Sequence, residues 1–71
     1  MTESKLKEYH LIFTEAWRLF KKYSNMKYDA NSWDALKSEI DDVRKRLGGT
    51  PFVRDIMMAI YEEMGRIKNI S

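Results

Sequence analysis

The sequence predicts an all-α fold, an antiparallel three-helix bundle with helices at about residues 3–24, 32–47 and 51–68. Three observations lead there. Apolar residues recur at steps of three and four through three stretches. Short linkers rich in turn-forming and helix-ending residues separate those stretches. No segment alternates apolar and polar side chains over a useful length, so no sheet is expected. With 71 residues there is room for one core, and the chain reads as a single domain over residues 1–71.

The first helix opens at Thr2 or Ser4, whose hydroxyls can accept from the free N–H groups of its first turn. Leu6, Tyr9, Phe13, Ala16, Trp17, Phe20 and Tyr23 are expected on its core face, and Ile12 and Leu19 widen it. Asn25 to Asn31 reads as a loop, with Met26 and Tyr28 over the end of the bundle. Asn31 or Ser32 is the expected cap of the second helix, where Trp33, Leu36, Ile40, Val43 and Leu47 form a narrow apolar seam. Arg44, Lys45 and Arg46 suit the negative end of its dipole, and Gly48 is placed to end it in the left-handed conformation. Thr50 is the expected cap of the third helix and Pro51 its first residue, where a missing N–H costs nothing. Phe52, Val53, Ile56, Met57, Ile60, Met64 and Ile67 make its apolar face.

Composition excludes several classes of function. There is no Cys, so neither disulfides nor thiolate metal sites are available. No apolar run approaches the roughly 20 residues a membrane helix needs, and no signal-peptide pattern is present. A cytoplasmic protein without membrane partner is expected. The apolar content of 44%, with 13% aromatic, argues against disorder. Below roughly 80 residues a single core seldom leaves more than ~3–5 kcal/mol of net stability. Aromatic packing and self-association are the two remedies open to this chain, and a homo-oligomer is expected.

Chemistry is sparse. His10 is the only histidine and has no nucleophile or orienting acid at helical spacing, so it reads as a packing or surface residue. Asp41 and Asp42 are adjacent and point to different sides of a helix, which does not make a metal site. Gly48-Gly49-Thr50 precedes a helix, but no strand leads in and no Lys follows, so it reads as a helix stop and start rather than a phosphate loop. No catalytic residue, metal ligand or cofactor is expected, and the protein reads as a non-enzyme.

Three surfaces are candidates for binding. Lys7, Leu11, Arg18 and Lys22 form a stripe on the outer face of the first helix, with Lys21 beside them and only Glu8 and Glu15 to temper it. Phosphate oxygens of a nucleotide or nucleic acid would suit it. The cations of the second helix are expected largely to be answered at i,i+4, Lys37 and Lys45 by Asp41 and Arg46 by Asp42, with Arg44 the exception because it borders the apolar seam. On the back of the third helix, Arg54, Met58, Tyr61 and Gly65 lie along one line, which is the expected oligomer interface. Aromatic residues in excess of a small core, Trp17, Tyr23 and Trp33 above all, could frame a stacking groove with Arg18 or Lys22 at its lip. A helix-turn-helix reader is the alternative. Its recognition helix would present Arg54, Asp55, Met58, Glu62, Glu63 and Arg66, and those acids with a net charge of only +2 argue against sequence-specific DNA binding.

The stretches Phe13-Thr-Glu-Ala-Trp17-Arg-Leu-Phe20-Lys-Lys-Tyr23, Ser32-Trp33-Asp-Ala-Leu36, Leu47-Gly-Gly-Thr-Pro-Phe52 and Ala59-Ile60-Tyr-Glu-Glu-Met64 carry a resemblance that covers residues 10 to 67. Together they resemble the short three-helix proteins of phages and prophages of Gram-positive (Firmicute-type) bacteria. The resemblance implies an accessory role in a mobile element, as a protein that inhibits or sequesters a host defence factor, either a protein or a nucleotide signal. A structural subunit of a phage assembly is a further alternative. The resemblance supplies no catalytic residues.

Overall fold

A computed structural model shows three helices, α1 (Glu3–Tyr23), α2 (Ala30–Arg46) and α3 (Pro51–Ile70), packed on one another in all three pairings. It describes residues 1–27 and 29–70, with side chains as far as Ile67. There is no strand among the described residues, and the all-α bundle is the fold expected. The expected packing of Tyr28 lies outside the described residues.

The helix ends follow from local chemistry. Thr2 Oγ1 accepts from the Lys5 N–H at 3.3 Å and caps α1. α2 starts earlier than expected, because Asp29 takes the cap in extended backbone and its Oδ1 accepts from the Ser32 N–H at 2.8 Å. Asn31 and Ser32 therefore lie inside the first turn. At the other end, the Gly48 N–H donates to the Lys45 carbonyl and the Gly49 N–H reaches back to the Arg44 carbonyl at 3.0 Å. These two bonds make a Schellman end, and Gly48 adopts the φ of 97° that it requires. Thr50 Oγ1 accepts from the Val53 N–H at 3.4 Å, the cap expected for α3.

Cross-helix contacts fix the directions. Glu15 meets Arg46, and Tyr23 meets Glu39, so α1 and α2 are antiparallel. Trp33 lies on Tyr61, near one end of α2, and Arg44 shares a groove with Arg54 nearer the other, so α2 and α3 are antiparallel too. α3 then runs alongside α1, with Phe52 against Tyr9 and Phe13. The core between them is Ile12, Ala16, Leu19 and Tyr23 of α1, Leu36 and Val43 of α2, and Val53, Met57, Ile60 and Met64 of α3.

The core face of α1 differs from the expected one. Ile12 and Leu19, expected at its margin, stand at its centre. Leu6, Phe13 and Trp17, expected inside, are exposed, and Tyr9 and Phe20 are half-buried. The apolar arc of α1 is wider than the seam two thin neighbours can cover. At about 100° per residue, positions 12, 16, 19 and 23 cluster on the bundle axis, while 6, 13 and 17 fall a quarter-turn or more to one side. Ile12, Ala16, Leu19 and the ring of Tyr23 take the axis, and the rings of Phe13 and Trp17 are left on the flank.

Candidate binding surfaces

The expected basic stripe on α1 is partly committed: Lys22 is tied to Glu39 of α2, and Arg18 to Glu15 on its own helix. Arg18 Nη2 and Arg46 Nη1 both approach Glu15 Oε1, at 3.3 and 3.2 Å. Glu15 is thus a buried acid, 6% exposed, rather than a solvated charge. This is a correction on two counts, because Arg46 answers Glu15 across the helix pair and not Asp42 along its own helix. Lys22 Nζ donates to Glu39 Oε1 at 2.8 Å, and the Tyr23 hydroxyl donates to the same oxygen at 2.7 Å. Burial, and then the hydrogen bond and charge of Glu39, push the Tyr23 phenol up to about 12. Burial raises the Glu39 carboxyl, but the bonds from Lys22 and Tyr23 and the charges of Lys22 and Arg18 outweigh it, and the group sits below its ordinary range. Tyr23 is therefore a core residue with its hydroxyl engaged, not the wall of a stacking groove. Lys7 and Lys21 make no ion pair among the described residues, but they stand about 21 Å apart along the helix. Leu11, exposed as expected, borders a groove of about 550 Å³ with Ile12, Leu47 and Pro51. Its charges are satisfied, since Lys5 pairs with Glu8 at 3.2 Å and Arg46 with Glu15.

The line expected on the back of α3 is divided by the fold. Arg54, Met58 and Tyr61 come together with Lys37, Ile40, Asp41, Arg44 and Met57 around a groove of about 290 Å³ between α2 and α3. Gly65 is not part of its lining. Met58 is exposed, as expected. Tyr61 is half-buried rather than on the open side, because its ring meets Trp33 edge-on at 5.5 Å between centroids. That contact also places Trp33 in the wall of the bundle, partly buried, away from Trp17. Lys37 Nζ stands 5.8 Å from the centroid of the Tyr61 ring. Of the cations around the groove, Arg44 is the one with an acid in reach among the described residues, Asp41 at 3.5 Å. The floor is apolar and the rim is positive. The cationic contribution of Lys37 was hidden in the sequence by its apparent i,i+4 partner Asp41, which turns to Arg44 instead.

Trp17 is the exposed aromatic of the sequence-based set. It belongs to a stripe along α1 with Leu6 and Phe13, continued onto α3 by Phe52. Phe52 is held edge-on by Tyr9 at 5.3 Å and by Phe13 at 5.7 Å. The outward character of this stripe was not legible from periodicity, which favours the same residues for the core.

His10 is exposed, and its carbonyl accepts from the Thr14 hydroxyl at 2.8 Å. No group of three or more His, Cys, Asp or Glu able to hold a metal ion occurs among the described residues. No helix is long and apolar enough to cross a membrane among those residues. No family model, curated protein or solved structure matches the chain.

Proposed function

We propose that this chain is a non-enzymatic cytoplasmic binding protein whose α2–α3 groove captures an acidic, amphipathic helix of a protein partner. The observation that supports this is the pairing of an apolar floor with a positive rim. Ile40, Met57, Met58 and Tyr61 offer an apolar bed, and Lys37, Arg44 and Arg54 surround it with Asp41 the one acid among them. A groove between two antiparallel helices accepts a third helix along its length, with apolar anchors at i, i+3 and i+4. Like charges disfavour the same groove docking on a second copy of itself. The groove is open and lies at the low end of small-molecule sites, about 300–1,000 Å³, which favours a helix over a nucleotide as its occupant. The resemblance to phage and prophage proteins extends the proposal to a host defence factor as the protein sequestered. For the DNA-reading alternative, α3 offers few uncommitted cations, since Arg66 is held by Glu63 at 2.7 Å.

Fluorescence anisotropy with a labelled Leu/Glu amphipathic peptide tests the groove. The peptide should bind, and its affinity should fall with added salt. Arg54→Glu and Lys37→Glu should each weaken binding severalfold, and a Leu/Lys peptide should not bind. Equal affinity for the two peptides, or tight binding by both variants, overturns this reading. A cyclic nucleotide that displaces the acidic peptide at low concentration would assign the groove to a nucleotide instead.

A further inference from the structure

We propose that α1 pairs antiparallel with α1 of a second copy, burying Leu6, Phe13, Trp17 and Phe52 across a two-fold axis near Ile12. Isolated exposed apolar residues are ordinary on a protein surface, whereas a contiguous patch of several hundred Å² often marks a site of interaction. Trp17 is 64% exposed, Phe13 56% and Phe52 37%. With about 150–250 Å² for a whole aromatic side chain, these three alone leave roughly 350 Å² of ring open to water. Leu6, 56% exposed, adds to it. A stable pair needs ~800 Å² from each copy. A contact along all of α1, some 30 Å long, brings in the half-buried Tyr9 and Phe20 and a polar rim, and approaches that area.

The rim selects a second copy as the occupant. Along the outer edge of the stripe stand Glu3, His10, Thr14 and Lys21. Glu3 and Lys21 are exposed and make no ion pair among the described residues. Each lies nine residues from Ile12, in opposite directions, ~13.5 Å along the axis. A two-fold axis near Ile12 therefore brings Glu3 to the partner's Lys21 at both ends of the contact. The same register sets Leu6 on the partner's Trp17, an isologous and self-complementary arrangement. A parallel pairing would instead leave Glu3 and Lys21 on opposite sides of the seam from their copies, with neither facing an opposite charge. The stripe and the α2–α3 groove lie on opposite flanks of α3, so the pairing leaves the groove open and does not depend on what occupies it.

Sedimentation equilibrium on the full chain, from low micromolar to submillimolar concentration, tests the pairing. The mass should rise from 8.5 kDa toward twice that value with a micromolar dissociation constant. Phe13→Ser with Trp17→Ser should give a monomer whose circular dichroism is unchanged. Glu3→Lys should weaken the dimer about tenfold by setting two like-charge contacts in place of two attractive ones, and Glu3→Lys with Lys21→Glu should restore it. A monomer at every concentration, a dimer indifferent to the loss of both rings, or a double charge swap as weak as Glu3→Lys alone would each overturn the proposal.

Discussion

The Tyr23 hydroxyl donates to Glu39 Oε1 at 2.7 Å, and that bond ties the last turn of α1 to the middle of α2. The same oxygen receives Lys22, so one carboxylate holds two groups of the neighbouring helix. Ionising the phenol would place two negative groups against each other in a partly dry site. Because the folded-state value is raised from 10.0 to about 12, the stabilisation is fully present below pH 10 and is lost as pH rises through 12. Thermal melts of the wild type should therefore fall more steeply over that interval than melts of Tyr23→Phe. Parallel curves for the two proteins would show that the phenol does not titrate against Glu39.

The acid limb runs the other way. Glu39 is held below its ordinary value near 4.5, so its contribution is present above that value and disappears as pH falls through the lower, folded-state one. Glu39→Gln should remove this part of the acid dependence and leave the slope near neutral pH unchanged. Melts between neutral pH and strong acid measure it.

Leu36 and Trp17 should respond oppositely to truncation. Leu36 has no exposed surface, and its replacement by Ala should cost about 2–5 kcal/mol. A bundle with ~3–5 kcal/mol to spare would then be largely unfolded at physiological temperature. Trp17→Ser removes a larger side chain, yet the ring lies outside the core, so helicity and the unfolding midpoint at low protein concentration should be nearly unchanged. Urea unfolding followed by circular dichroism separates the two.

That contrast marks where the sequence stops informing. The three helices, the Thr2 and Thr50 caps and the Gly48 stop are local events, each set by residues within a few positions, and they were legible. Which part of the wide apolar arc of α1 faces inward is decided by α2 and α3, and periodicity ranks Trp17 and Ile12 alike. Ion pairing failed for the same reason. Asp42 is near Arg46 along the helix, but the fold offers Arg46 a buried carboxylate at Glu15. The α2–α3 groove was half legible, through Arg54, Met58 and Tyr61, and its other wall required knowing which side of α2 meets α3.

Glu15 offers a test of that buried charge. Its two arginine partners are largely exposed, so removing the acid strands no charge in the interior. Glu15→Leu should change stability by less than about 1 kcal/mol, because an apolar side chain of similar volume suits the site. Glu15→Lys should be strongly destabilising, since it buries a cation between two others. Chemical denaturation of both variants at low and high salt checks this.

The glycines separate backbone need from surface need. Gly48 holds a φ of 97°, a conformation that L side chains rarely adopt, so Gly48→Ala should destabilise by about 1 kcal/mol or more although nothing lies near its Cβ. Gly65 is helical and nothing lies within 4 Å of a Cβ added there. Within the monomer no helix packs closely against it, and Gly65→Ala should raise stability by up to ~1 kcal/mol through helix propensity alone. If α3 used Gly65 for close approach to a second copy, the added methyl would break that contact, and the variant would fall behind the wild type as protein concentration rises. Melts of Gly65→Ala and wild type at two concentrations decide between these. Higher midpoints for the variant at both concentrations show that Gly65 is not a contact between copies.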